Sequence, residues 1–133
     1  MKVFVVTSII GQDANNAAAL LGRACSSLSQ AGHNPTHNLS EIQFLQENQI
    51  SAADAMRRAY SGIDSCEGIL CIIQPGITND DALAAFGYAW AKGKKLLLAF
   101  PASTNSPLAA LADVAIRYTD VADLSTKLSG LHR

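Results

Sequence analysis

Apolar residues in this chain fall into short solid runs, separated by longer stretches where they recur every three or four positions. Residues 2–8 carry VFVV, β-branched and aromatic and apolar on both faces, which predicts a buried strand. The turn IIGQD follows, with Gly11 inside it and Asp13 placed to cap a helix. From 14 to 30, Ala17, Leu21, Ala24 and Leu28 keep helical spacing, and Gly32 stops the helix. HNPTHNL predicts a short second strand at a sheet edge, because Pro35 removes a ladder donor. Residues 40–50 are polar and predict irregular or briefly helical chain. Residues 51–65 predict a helix with Met56, Tyr60 and Ile63 on one face and Arg57, Arg58 and Asp64 on the other. GILCIIQ, 68–74, is the most apolar run and predicts a central strand that Pro75 and Gly76 break.

Asn79 or Asp80 can cap the next helix, which runs to about Lys92 and ends at Gly93. Its sequence, DALAAFGYAWAKGKK with the following turn, is rich in small residues. These predict close packing, with Phe86, Gly87 and Ala89 fixing the helix against a sheet. KLLLAF, 95–100, predicts another buried strand. A Ser/Pro/Asn loop, a short helix near 107–112, a strand over 114–118 and a helix over 121–128 complete the chain. Strand and helix thus alternate five times. That order predicts an α/β fold, a flavodoxin-like or Rossmann-like three-layer sandwich. Its five-stranded parallel sheet should run 2-1-3-4-5, in a single domain over residues 1–133. In such sheets ligands bind beyond the carboxyl ends of the strands, near the switch between the first and third. Three loops meet there: 7–13, 74–81 and 100–106.

Composition narrows the partners. Apolar residues make up 49% of the chain and charged residues 16%, with a net charge of −1. No broad electrostatic footprint for a nucleic-acid polymer or a membrane surface follows from this. So few charges on so small a domain predict surface buried against a second copy, and a homodimer is expected. No run approaches the roughly 18 apolar residues of a membrane span. MKVFVVTSII reads as a first strand rather than a signal peptide, so a cytoplasmic location is expected. The three cysteines, Cys25, Cys66 and Cys71, form no CxxC; Cys25 and Cys71 fall on apolar faces as reduced core thiols.

The candidate chemistry lies in the loops. Thr7, Ser8 and Gly11 before a helix start suit a phosphate or a sugar oxygen, though an ordinary strand-to-helix turn accounts for them equally. Neither GxGxxG nor GxxxxGK[ST] is present. Asp80 and Asp81 sit at a helix start, as caps stabilised by the dipole or as ligands for a sugar hydroxyl. There is no acidic pair after the first strand and no aspartate ending the third, which excludes a receiver domain. His33 and His37 are four apart, but Pro35 between them removes the helical geometry of a metal pair, and no metal or cofactor is expected. His37 can face the site from the end of the second strand or lie on the surface.

Taken in order, KVFVVTSIIG, IDSCEGILCIIQPG and FGYAWAKGKKLLLAF resemble the nucleoside 2-deoxyribosyltransferase-like superfamily over residues 2–120. The likeness is closer to its branch of 2′-deoxynucleoside 5′-phosphate N-hydrolases. The resemblance implies action on the N-glycosidic bond of a nucleoside or nucleoside monophosphate, as N-hydrolase or deoxyribosyltransferase. It implies that the first loop, through Thr7, Ser8, Ile9 and Gly11, holds the sugar-phosphate end. It also implies that a loop bearing Ser103, Thr104 and Ser106 contacts phosphate, often across a dimer. Gly76, Asp80 and His37 complete the expected contacts.

The chain departs from that family at the chemistry. Aligning Gly87 and Ala89 to the family's ExGxA motif puts Ala85 where the glutamate stands, and Ala59 where a helix aspartate stands. Breaking an N-glycosidic bond builds positive charge on the anomeric carbon, which a carboxylate stabilises or attacks, while a second acid protonates the leaving base. Asp81, one helical turn before Ala85, is the nearest carboxylate able to take that role. The alternative is a degenerate member that binds a nucleotide or serves as an interaction module. A weaker likeness, to phosphoribohydrolases with a PGGxGTxxE loop, rests on Pro75, Gly76 and Thr78 alone.

Overall fold

The protein is described here by a computed structural model, covering residues 1–8, 14–37, 51–76 and 79–131. Its elements in chain order are β1 (Lys2–Thr7), α1 (Ala14–Gln30), β2 (Asn34–His37), α2 (Ala52–Asp64), β3 (Gly68–Ile72), α3 (Asp80–Ala91) and β4 (Lys95–Pro101). A 3₁₀ turn (Pro107–Ala110), β5 (Val114–Tyr118) and α4 (Val121–Ser129) follow. The strands form one parallel sheet in the order β2-β1-β3-β4-β5, as the alternation of runs predicts. The expected cap at Asp13 and the segment 40–50 lie outside the described residues.

Burial follows position in the sheet. β3 is central and all five of its residues are buried, whereas β2 at one edge is largely exposed. Alternate residues of the three inner strands feed two separate cores. Val3, Val5, Leu70, Ile72, Leu97 and Ala99 pack under α1 and α4. Phe4, Val6, Ile69, Cys71, Leu98 and Phe100 pack under α2 and α3. The three-layer sandwich is thus one sheet with a helix pair on each face.

Small residues set how near the second pair comes. On α2, a Cβ added at Gly62 would lie 2.3 Å from Cε1 of Phe4, so only glycine allows that approach. On α3, Ala82, Ala85 and Ala89 are buried with Phe86 against the sheet. Gly87 corrects the sequence reading: it is exposed, and a Cβ there would meet nothing within 4 Å. The alanines, not the glycine, bring α3 close.

Helix ends are capped unevenly. Ser51 Oγ accepts from Asp54 N–H at 3.1 Å to start α2, and Asp120 accepts from Asp123 N–H at 2.7 Å to start α4. At α3, Asn79 occupies the N-cap position but makes no side-chain cap bond. Its amide turns back instead, accepting from Gln74 N–H and donating to Gln74 C=O, both at 3.1 Å. That two-bond pairing closes the loop between β3 and α3, where Gly76 takes a φ of 75°. β3 also stops at Ile72, two residues short of the apolar run.

Candidate functional site at the carboxyl edge of the sheet

The described part of the site gathers around the ends of β1 and β3. Ser8, fully buried just past β1, donates from Oγ to Oδ1 of Asp81 at 2.6 Å. Asp81 lies in the first turn of α3 and is 9% exposed. The loop from β3 carries that turn to the carboxyl edge, and free amides at a helix start favour a carboxylate there. A short hydroxyl-to-carboxylate bond fixes the orientation of both groups. Beneath them, the buried Cys71 thiol donates to Ala82 C=O at 3.6 Å. Burial, with the nearby Asp81 charge adding, pushes that thiol up to about 12, so it stays neutral. Cys71 is therefore packing, not a nucleophile.

The end of β3 is tied down by side chains from three elements. Thr7 Oγ1 donates to Ile72 C=O at 3.1 Å, Tyr118 OH to Ile73 C=O at 2.5 Å, and Asn79 Nδ2 to Gln74 C=O. Three consecutive carbonyls that are leaving the ladder thus each gain a partner. Gln74 Nε2 then donates to Thr7 Oγ1 at 2.5 Å, which links this end of β3 to β1 and the Ser8–Asp81 pair.

Beside this network lies a groove of about 650 Å³, within the usual range for a small-molecule pocket. Gln74, Gly76 and Asn79 line one side, and Phe86, Gly87 and Trp90 of α3 line its wall. Residues 104–108 and Leu111 close the far side. Arg117 steadies that far loop, donating to Thr104 C=O at 3.4 Å and Asn105 Oδ1 at 3.3 Å, while its guanidinium lies 5.0 Å from the Phe100 ring centroid.

The sequence-predicted residues divide accordingly. Ser8 and Asp81 meet directly, and Thr7 joins them through the β1 end and Gln74. Gly76 and Ser106 line the groove. Asp80 and Ser103 are exposed, and Ser103 is not part of the groove lining. His37 is exposed at the end of edge strand β2, paired in register with Val5, two residues short of Thr7. Ile9 and Gly11 lie outside the described residues. Ala85 and Ala59 are methyls inside the apolar core, 2% and 4% exposed.

The other acids lie elsewhere. Glu67 accepts from Lys2 N–H at the amino end of the sheet, and Asp64 accepts from Tyr88 OH on the surface. His33 is buried with its Nε2 donating to Leu131 C=O at 2.6 Å, so it does not share a site with His37. Among the described residues no cluster of three metal-ligating side chains occurs. Sequence reasoning missed Gln74 and Tyr118. The signal for Gln74 was a lone polar residue ending an otherwise apolar run; for Tyr118 there was none.

Solved structures share this architecture. The chain is similar to the CMP N-glycosidase BcmB of Clostridium botulinum, with a TM-score of 0.67 and 17% identity, over 96% of this chain and 98% of that one. It is also similar to a 2-deoxyribosyltransferase of Bacillus psychrosaccharolyticus, with a TM-score of 0.64 and 15% identity, over 96% of each chain. The likeness establishes the fold. No family model matches the chain, and no curated protein matches it by sequence.

Proposed function

We propose that this protein acts on the N-glycosidic bond of a nucleoside or nucleoside monophosphate, with Asp81 as its catalytic carboxylate. The observation that carries the reading is the Asp81 carboxylate, nearly buried and held by Ser8 at the carboxyl edge of the sheet. Two proteins of this fold act, by name, as a CMP N-glycosidase and a 2-deoxyribosyltransferase. That lends the reading its substrate class.

The chemistry follows from charge. As the bond from C1′ to the base nitrogen breaks, its electron pair leaves with the base and C1′ becomes cationic. Asp81 lies one turn nearer the helix start than Ala85, about 6 Å along the axis. A sugar seated there, rather than deeper, places C1′ against the carboxylate. Ser8 keeps that carboxylate in one orientation. Water, or the N–H of a second base in a transfer reaction, then adds to C1′, and the proton it gives up passes to the nitrogen of the departed base. Ile9 and Gly11 of the first loop take the sugar end in this reading, with Gly76, Ser106 and Ser103 on the opposite loops, while the buried Thr7 and Ser8 position Gln74 and Asp81. The protein works as a homodimer in this reading, the second copy covering the exposed rim of the groove.

The test is to incubate the protein with deoxynucleoside monophosphates and follow free base by chromatography. Base release, abolished by Asp81→Ala, is expected. No release, while the nucleotides still raise the melting temperature, replaces the enzyme with a nucleotide-binding protein. Unchanged release in Asp81→Ala removes Asp81 from the mechanism.

A further inference from the structure

Gln74 stands where the Ser8–Asp81 end of the site meets the groove, and its amide is oriented by Thr7. Thr7 Oγ1 has a single hydrogen, which goes to Ile72 C=O, because a carbonyl only accepts. With that hydrogen on Ile72, Thr7 accepts from Gln74, and the side-chain group facing it is the NH₂. Flipping the amide would draw the Thr7 hydrogen off Ile72 C=O and break that bond. The backbone of Gln74 is clamped as well, with its N–H and C=O both bonded to the Asn79 side chain. Oε1 is thus directed away from Thr7, and no described residue donates to it. A fixed acceptor beside an apolar groove of this size is a device for selecting a flat ligand by its donors.

We propose that Gln74 is a base-specificity residue: its Oε1 accepts a hydrogen bond from the exocyclic amine of a nucleobase lodged in the groove against Phe86 and Trp90. The inference rests on the nucleotide reading above and deepens it. Cytosine and adenine present an amine that protrudes from the ring edge and can donate to Oε1. Uracil and hypoxanthine present a carbonyl at the same place, and two acceptors then face each other unpaired. Thr7 acts here as a positioning residue, since it fixes which end of the amide the base meets.

The test is calorimetric binding of deoxycytidine and deoxyuridine monophosphates to the wild-type protein, Gln74→Leu and Thr7→Val. The wild type should bind the cytidine nucleotide at least about tenfold more tightly. Gln74→Leu should weaken that nucleotide by about tenfold and leave the uridine nucleotide within about twofold. Thr7→Val frees the amide to flip, so the ratio should narrow chiefly through better uridine binding. Equal or reversed preference in the wild type, or equal weakening of both nucleotides in Gln74→Leu, overturns the assignment and leaves the nucleotide reading intact. If neither nucleotide binds the wild type, the nucleotide reading itself falls and this inference with it.

Discussion

At the scale of residues, the contrast between Asp81 and Ala85 carries the most weight. They lie one turn apart on α3, and both are buried, yet in different surroundings. Ala85 is surrounded by apolar side chains, where a carboxylate would lack partners and would be costly to bury. Asp81 has a hydroxyl at 2.6 Å and the helix start beside it. If its charge is what acts on the sugar, Asp81→Asn separates charge from shape, because the amide oxygen still accepts from Ser8. Base release should fall by about a hundredfold or more in Asp81→Asn, with the melting temperature nearly unchanged. A fall in both together would make Asp81 a structural group. Ser8, Thr7 and Asp81 were legible in the sequence because they sit where a strand ends or a helix begins. Gln74 and Tyr118 were not, since what defines them is a partner 67 or 45 residues away. Only the folded sheet brings those partners together.

Among the elements, the strands were the most legible, because a strand buried on both faces must read as a solid apolar run. The end of β3 was less so. Ile73 and Gln74 continue the run, but their carbonyls bond to Tyr118 and Asn79 rather than to a neighbouring strand. Small residues were the hardest to read, since a glycine in a helix looks the same whether it is crowded or open. Gly62 and Gly22 test this point as a pair. Alanine in an open helix position gains about 1 kcal/mol over glycine. Gly22 on α1 has nothing within 4 Å of an added Cβ, so Gly22→Ala should raise stability by roughly 0.5–1 kcal/mol. At Gly62 the same methyl meets the buried Phe4 ring, and overpacking of about 1–3 kcal/mol should outweigh the gain. Urea denaturation of the two variants should give shifts of opposite sign. Phe4→Leu, which shortens the obstructing side chain, should make Gly62→Ala less harmful than it is alone.

Over the whole molecule, the buried acids set an alkaline limit. Burial pushes Cys25 up to about 11 and Tyr118 up to about 12, and the Cys71 thiol rises to about 12 for the same first reason. In the unfolded chain the thiols lose their protons near 9 and the phenol near 10. The folded state thus holds these protons more tightly. The stability this brings is complete below the unfolded values and is lost as pH rises through 9 toward 12. The denaturation midpoint should therefore fall steadily above pH 9, and Cys71→Val should flatten part of that slope. A flat profile to pH 11 would show that these groups are not sealed from solvent.

The outer surface carries one further consequence at the same scale. Four large apolar side chains of the described residues are exposed, and three of them, Leu83, Trp90 and Leu111, lie on the rim of the groove. Trp90 is 58% exposed on α3, on the sheet face opposite α4, so the last helix does not cover it. Apolar surface concentrated in this way is what an obligate partner buries. In the proposed homodimer a two-fold axis would place each Trp90 in an equivalent contact, so any substitution counts twice. Burying the exposed part of one tryptophan is worth about 2–3 kcal/mol. Trp90→Glu should therefore raise the dimer dissociation constant by at least about a thousandfold. Light scattering at micromolar concentration should give a dimer for the wild type and a monomer for Trp90→Glu, with unchanged circular dichroism because the position is exposed. A monomeric wild type would remove the second copy from the proposal. The groove would then stand open to its ligand, with Trp90 as an uncovered wall.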